Sequence, residues 1–298
     1  MKSLDIVVPV YNEDIGVVKK IVTSLQTIFP DREQARIIIV DDGSDESYLL
    51  EEIKEWEGVL LCKHPVNMGY GQALKTGILS GSAPLIAIVD ADGSYPVESL
   101  AALVKEMAEC DMALGIRTGS VVKIPFLRRA PKQFLNLFAS YLSGTHIADL
   151  NSGMRVFSRD LCYYFWGLLP KRFSFTSTMT MGAVMGGFRV KEKPIDYYKR
   201  VGNSSIQPIR DTIRFMKILI RLGMLFSPFK IFGPVAAILM AIGFTKGILI
   251  DYIINGYVGN MSITVILAAI QIFMMGLVAD LIVKGRNLKL NNPSDPPS

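Results

Sequence analysis

Asp90-Ala91-Asp92 is the tripeptide in this chain with the clearest capacity for chemistry. Carboxylates two positions apart point to opposite faces of a continuing strand, so these two converge only where the chain turns, and Gly93 supplies the turn. Hard oxygen ligands suit Mg2+ or Mn2+, and such an ion in turn binds the oxygens of a diphosphate. A cation at Asp92, with Asp90 beside it, stabilises charge that develops on a departing diphosphate. Other polar clusters recur along the chain: Tyr11-Asn12-Glu13, Asp41-Asp42-Gly43-Ser44, and Arg117, whose planar fork of donors suits a phosphate.

Each cluster follows a short β-rich run. Leu4 to Val10, Arg36 to Val40, Val59 to Cys62, Leu85 to Val89 and Met112 to Gly115 read as five strands, with helical patterns in the gaps, as in Ile15, Val18, Ile21, Leu25 and Ile28. This alternation predicts an α/β domain with a mainly parallel sheet covered on both faces by helices. Ligands of such sheets bind outside the carboxyl ends of the strands. All four polar clusters fall at that edge, where acidic groups and an arginine make a metal and phosphate site. Two phosphate-loop patterns are excluded. Gly69-Tyr70-Gly71-Gln72-Ala73-Leu74 lacks the third glycine of the dinucleotide fingerprint, and Lys75-Thr76 lacks the glycine that precedes lysine in a nucleotide-triphosphatase loop.

Half of the 298 residues are hydrophobic, more than one soluble domain requires, and the excess is localised. Ile231 to Ile253 and Met261 to Val283 each reach the ~20 residues of a membrane-crossing helix. Lys246 and Asp280 lie inside these runs, and ionisable residues there face protein or snorkel. Asn255 to Asn260 holds no Lys or Arg, whereas Lys230 precedes the first run and Lys284, Arg286 and Lys289 follow the second, which predicts two spans with both termini cytoplasmic. Leu4 to Val10 is too short, and carries Pro9, for a secretory signal, so the N-terminal domain is expected to stay in the cytoplasm. Arg210, Arg214, Lys217 and Arg221 form one stripe of a helix from Gln207 to Phe226, beside an apolar stripe of Ile209, Ile213, Met216 and Ile220. This reads as a helix lying in the membrane interface. The net charge of +5 therefore points to membrane and not to nucleic acid, for which no motif is present. Cys62, Cys110 and Cys162 are isolated, and His64 and His146 solitary, so neither a disulfide framework nor a zinc site is indicated. The resulting division is 1–205 catalytic domain, 206–228 juxtamembrane helix, 229–285 two-helix anchor and 286–298 tail.

The sequence resembles the family-two glycosyltransferases, and within them the polyprenyl-phosphate sugar transferases such as dolichyl-phosphate mannose and glucose synthases. The matching segments run in the family's order: Val8-Pro9-Val10-Tyr11-Asn12-Glu13, Asp41-Asp42-Gly43-Ser44-Asp45, Asn67-Met68-Gly69-Tyr70-Gly71-Gln72-Ala73, Asp90-Ala91-Asp92-Gly93, Gly115-Ile116-Arg117, Asp149-Leu150-Asn151-Ser152-Gly153-Met154-Arg155 and Lys199-Arg200-Val201-Gly202-Asn203-Ser204. The resemblance implies an A-type glycosyltransferase fold and roles for single positions. Pro9, Tyr11, Glu13 and Asp41 would hold the donor nucleoside, with Asn12, Asp42, Gly71, Lys75, Ala91 and Arg200 also on the donor side. Asp90 would sit near ribose and phosphate, and Asp92 on the metal. Arg117, Arg128 or Arg129, and Arg200 would bind phosphates of donor or acceptor, Ser152 and Gly153 would line the acceptor side, and Asp149 would stand near the reaction centre. One departure concerns the metal. Mannose synthases of this group continue the aspartate motif with a Gln, where this chain has Gly93-Ser94-Tyr95-Pro96, so whether Ser94 completes the site is open and the pattern leans towards a UDP-sugar over GDP-mannose. The Phe173-Ser174-Phe175-Thr176-Ser177-Thr178 segment reads as a lid, an acceptor groove or a helix start at Ser174 or Thr176.

What the resemblance implies is inverting transfer of a hexose or N-acetylhexosamine from a nucleotide diphosphate sugar to a polyprenyl phosphate lipid. A phosphate acceptor is substantially dianionic near neutral pH, its second pKa being about 6, so it needs no strong general base. Asp149 is then expected to orient and not to deprotonate. Two other readings compete. A processive polysaccharide synthase would carry a Gln-x-x-Arg-Trp motif and more spans, and neither Trp56 nor Trp166 follows an arginine. A non-catalytic sugar-nucleotide sensor or scaffold on the same fold is separable only by a transfer assay. A homo-oligomer is compatible with the sequence.

Overall fold

The computed structural model describes residues 3–45, 53, 56–117, 137–150, 152–172, 174–198 and 208–290. The chain divides into two compact units, Met1–Phe215 and Met216–Ser298.

In the first unit the strands are β1 (Leu4–Val10), β2 (Ala35–Asp41), β3 (Val59–Lys63), β4 (Leu85–Ile88), β5 (Met112–Arg117), β6 (Arg155–Ser158) and β7 (Val190–Ile195). They form one sheet in the order β3-β2-β1-β4-β6-β5-β7. All pairs are parallel except those of β6, which runs antiparallel to both β4 and β5. Two antiparallel pairings in series leave β5 parallel to β4, so β1, β2, β4 and β5 all end on one edge. The mainly parallel sheet expected from the sequence is present, and β6 and β7 join it as two strands that the five-strand reading did not include. Their signal was weak for physical reasons. β6 has four residues and starts on a charge, and β7 (VKEKPI) is an edge strand whose lysines, glutamate and proline guard it against further pairing.

β1 is buried along its whole length, as a central parallel strand covered on both faces must be. Its Pro9 has no N–H to give to a ladder. Val10 bonds on the β2 side, through Asp42 N to Val10 O, and Val7 on the β4 side, through Val89 N to Val7 O. Alternation puts Pro9 on the β4 side, where register with β4 has ended at Val7, so the missing donor costs no ladder bond.

The helices are α1 (Ile15–Ile28), α2 (Tyr70–Ser80), α3 (Ser99–Glu106), α4 (Arg159–Tyr164) and α5 (Phe175–Met185), followed by α6 (Pro208–Phe226). Asp14 caps α1 by accepting from Val17 N, and Val18, Ile21, Val22 and Leu25 form its buried face. Ser174 is the N-cap of α5, in left-handed backbone (φ +74°) with no side-chain capping bond, so the helix-start reading of that segment places the start there. At the sheet end away from the ligand edge, Asp5 and Arg159 form a buried pair at 2.7 Å.

In the second unit, α7 (Phe229–Thr245) continues through a π-helical stretch, Lys246–Tyr252, and a last turn, Ile253–Asn255, before α8 (Asn260–Leu290) returns. Gly243 packs on Ile266, Gly276 on Phe232, and Phe229 meets Phe273 edge-on at 5.6 Å. Residues Phe229–Tyr252 and Asn260–Gly285 are long and apolar enough to cross a membrane. Asp251, an ionisable residue of the first run that the sequence reading passed over, is the partner of Lys246 at 2.9 Å. It also accepts from Ser262 Oγ at 2.5 Å and Gly259 N at 3.1 Å. Residues five apart lie about 140° apart around an ideal α-helix, and the wider π-helical turn brings Lys246 and Asp251 onto one side. Asp280 pairs with Lys284 one turn away.

Candidate active site

Past the end of β4 the backbone turns through Ala91 and Asp92, with Gly93 at φ +71°, a left-handed conformation that glycine adopts without strain. Asp90 is half-buried and accepts a hydrogen bond from the Tyr70 hydroxyl at the start of α2 (2.7 Å). Asp92 accepts at one oxygen from Ser94 N (3.0 Å) and Ser94 Oγ (2.5 Å). Ser94 is fully buried and aims Asp92. Burial, then the neighbouring charge of Asp92, pushes the Asp90 carboxyl up from 3.8 to about 6. The two like charges of this turn repel, and a cation between them would relieve that repulsion. Among the described residues no group of three or more His, Cys, Asp or Glu side chains converges to hold a metal. The turn itself offers two hard carboxylates, a set that fits an ion taking its remaining oxygens from phosphates and water.

The other edge residues are brought to this turn by a chain of aromatic and backbone contacts. Gly153 stands so close to Asp90 that a Cβ there would lie 2.0 Å from a carboxylate oxygen. Gly153 N donates to the Tyr95 hydroxyl (2.7 Å), Tyr95 packs edge-on against Tyr197 (5.3 Å), and the Arg117 guanidinium lies over the Tyr197 ring at 5.2 Å. Arg117 donates to both oxygens of Asp149, from Nε at 2.6 Å and Nη2 at 2.7 Å. Burial works against the charge on Arg117, but the bond to Asp149 together with the charges of Tyr95, Asp149 and Tyr197 outweighs it, and the guanidinium stays cationic. The Ser152 hydroxyl is fully buried and bonds to the Gly115 carbonyl, so it is a brace between β5 and the segment before β6. Arg155 was not singled out by sequence reasoning. It is wholly buried, its Nη1 donating to Thr176 O (2.6 Å) and Thr180 Oγ1 (2.9 Å) and its Nη2 to Ser152 O, which ties α5 to the same segment. Burial pulls its pKa down to about 10. A charge opening an otherwise apolar run was the signal available for it, as the aromatic residues between charged motifs were for Tyr70, Tyr95 and Tyr197.

On the β1 and β2 side, the adjacent aspartates have opposite fates. Asp42 accepts at one oxygen from Met68 N (2.9 Å), with His64 Nδ1 at 2.7 Å from the same atom, and at the other from Gly69 N (2.8 Å). His64 in turn reaches Thr76 Oγ1 at 2.8 Å, so it packs as an internal link and not as a ligand. Asp42 is thus the internal anchor of the 67–69 loop, with both oxygens engaged. Asp41 accepts from Ser44 N at one oxygen, while its Oδ2 is buried without a hydrogen-bond partner among the described residues. Asn12, left-handed at φ +51°, bonds to Asp45 through both side-chain atoms (2.8 and 2.9 Å) and joins the loops after β1 and β2. Tyr11 is exposed at the mouth, Glu13 is half-buried beside it, and Pro9 and Ala91 are buried beneath.

Two residues expected on the donor side are engaged elsewhere. Gly71 gives its N–H to Arg172 O, and a Cβ on it would lie 2.2 Å from Pro170 O, so its smallness serves close backbone packing. Lys75 donates to Trp166 O (3.1 Å) and lies 4.9 Å over the Trp166 ring. Arg128, Arg129 and Arg200 lie outside the described residues.

Residues 5–165, more than half of the chain, match the model of glycosyl transferase family 2, and residues 227–284 match that of the GtrB C-terminal hairpin. The chain is 29% identical over 212 residues to a dolichyl-phosphate beta-glucosyltransferase of Trichomonas vaginalis, covering 65% of each protein. It is 25% identical over 302 residues to a dodecaprenyl-phosphate galacturonate synthase of Rhizobium johnstonii, covering 95% of this chain and 88% of that one. Among solved structures it is similar to a mannosyltransferase of Pyrobaculum calidifontis in complex with GDP-Man and Mn2+, with a TM-score of 0.51, 17% identity, and coverage of 98% of this chain and 88% of that one.

Proposed function

The chain belongs to glycosyl transferase family 2, and from that premise we propose that it transfers a hexose or N-acetylhexosamine, with inversion, from a nucleotide diphosphate sugar to a polyprenyl phosphate at the cytoplasmic face of a membrane. The observation that carries this is the convergence of the Asp90–Asp92 turn and the Arg117–Asp149 pair on one sheet edge, joined through Gly153, Tyr95 and Tyr197. Relatives that carry sugars to dolichyl and dodecaprenyl phosphates support the acceptor class.

Each residue then has a task. Asp41 Oδ2, without a partner among the described residues, presents an acceptor to a nucleobase N–H. Asp90 and Asp92 would hold Mg2+ or Mn2+, which when bound offsets the charge on the leaving nucleotide diphosphate. Arg117, preset by Asp149 and Tyr197, offers its remaining Nη1 and Nη2 donors to a phosphate. An acceptor phosphate oxygen forms the new bond to the anomeric carbon, and the electron pair of the broken carbon–oxygen bond leaves with the diphosphate. Both Asp149 oxygens are committed to Arg117, which supports an orienting role and not proton removal. The catalysis is positioning and charge stabilisation. The hairpin supports membrane residence, with its basic flanks towards the cytoplasm. Exposed Ile213, Ile220 and Met224 on α6 suit a helix seated at the interface, where a lipid-borne phosphate arrives.

The test is purified protein in lipid with a polyprenyl phosphate and a panel of labelled UDP- and GDP-sugars, with and without Mn2+ or Mg2+. Cation-dependent product from one donor, with a UDP-sugar favoured, is expected. No product from any donor would leave the sensor reading.

The two aspartates after β2 give a paired prediction. Asp42→Ala strips two backbone amides and His64 of their acceptor and should lower stability by about 2–4 kcal/mol. Asp41→Asn should stay within about 1 kcal/mol of the parent, yet weaken binding of the nucleoside diphosphate by about tenfold or more in calorimetry. Equal stability losses would remove the distinction.

Cation binding should also depend on pH with a definite sign. The folded protein holds a proton on Asp90 up to about pH 6 that the unfolded chain, at 3.8, has already released. Ionisation of Asp90 therefore costs stability as pH rises through that window, and a cation reverses the cost by binding the ionised pair. The rise in thermal midpoint caused by Mn2+ should be full near about pH 7.5 and fade towards about pH 5. A rise that ignores pH would place the ion elsewhere.

A further inference from the structure

Gln271 sits eleven residues after Asn260 and fourteen before Gly285, in the middle of the second apolar span. That is about 17 Å and about 21 Å from its ends. The side of α8 that packs on α7 carries Ser262, Ile266, Ala269, Phe273 and Gly276. At 100° per residue Gln271 points directly away from that side. It is exposed and has no hydrogen-bond partner among the described residues. In a bilayer this leaves an amide facing hydrocarbon, which offers it neither donor nor acceptor.

The surroundings of Gln271 have a definite shape. Ile270, Met274, Val278 and Ile282 make one ridge at spacing four, and Gln271, Met275 and Ala279 make the next, with a shallow groove of about 650 Å³ along them. Ridges at this spacing interdigitate with their own kind. A carboxamide is both donor and acceptor, and so complements another copy of itself. Two copies inserted the same way in one membrane are related by a two-fold axis along its normal, on which a residue meets its counterpart at equal depth.

We propose that a second copy of this chain seats its α8 in this groove, with the two Gln271 side chains hydrogen-bonded to each other at mid-membrane. Apolar area gives little drive for association in lipid, so shape and the amide pair must supply it. The inference rests on the membrane-spanning reading of the hairpin and not on the transfer chemistry.

The full chain, labelled and reconstituted in phosphatidylcholine vesicles, should self-associate in single-molecule photobleaching as its density rises. Gln271→Leu should weaken this by about 3- to 30-fold. A photoreactive residue replacing Met274 should give a product of twice the chain mass, and one replacing Ile238, exposed on α7, should not. A membrane-integral chain that stays monomeric at all densities, an unaffected Gln271→Leu variant, or equal cross-linking from both positions overturns the inference alone. A chain released by alkaline carbonate overturns the spanning reading and this inference with it.

Discussion

Asp92→Ala lowers kcat/KM by about a thousandfold or more and leaves the protein folded. A cation that offsets charge on a departing diphosphate contributes several kcal/mol to the transition state, and about 4 kcal/mol corresponds to about a thousandfold in rate. Asp92 also braces its own turn. Its bonds to Ser94 N and Oγ span two residues and lie within one turn, and losing them costs about 1–2 kcal/mol. Part of that is returned, because the charge that raises the Asp90 carboxyl disappears with it. Circular dichroism and the thermal midpoint should therefore stay near those of the parent while transfer vanishes. The Mn2+-induced rise in midpoint should vanish in the same variant, which separates loss of the ion from loss of the donor. Full activity in Asp92→Ala would overturn the metal assignment.

How far the molecule could be read beforehand depends on which forces leave a mark on one dimension. The edge of the sheet was legible because parallel strands write long apolar runs and put their polar residues at a common end, so Asp41, Asp90 and Arg117 were grouped correctly. β6 and β7 were not, because a strand of four residues and a charged edge strand carry no apolar run. Within the edge, residue type alone could not separate Asp41 from Asp42. That difference is made by the 67–69 loop, whose amides close on Asp42 from residues far along the chain. Gly71 and Lys75 were expected on the donor side by their motif, and their contacts with the 166–172 segment come from tertiary packing that the motif does not announce. Lys246 was expected to face protein or snorkel, and its partner Asp251 comes within reach through a π-helical stretch that periodicity does not announce.

Gly153 shows how such tertiary constraints reach the chemistry. Gly153→Ala should reduce transfer by about a hundredfold or more, although no side chain that touches substrate is removed. The new Cβ would lie 2.0 Å from one Asp90 oxygen and 2.7 Å from its Cγ, so one side must move. The backbone at 153 is held by Tyr95, its neighbour Ser152 is tied to the Gly115 carbonyl, and Arg155 starts β6 two residues on. The Asp90 carboxylate is the part that can yield, and yielding breaks its bond to Tyr70 and changes its distance from Asp92. An ion that needs both carboxylates then binds poorly, so the variant should need a higher Mn2+ concentration for half-maximal rate. Overpacking of this kind costs about 1–3 kcal/mol of stability. A double-mutant cycle identifies the clash as the cause. In an Asp90→Ala background the Cβ meets no carboxylate, and the loss of thermal midpoint caused by Gly153→Ala should largely disappear. If that loss persists undiminished without the carboxylate, the strain lies in the backbone at 153, and the link from Gly153 to the acidic turn fails.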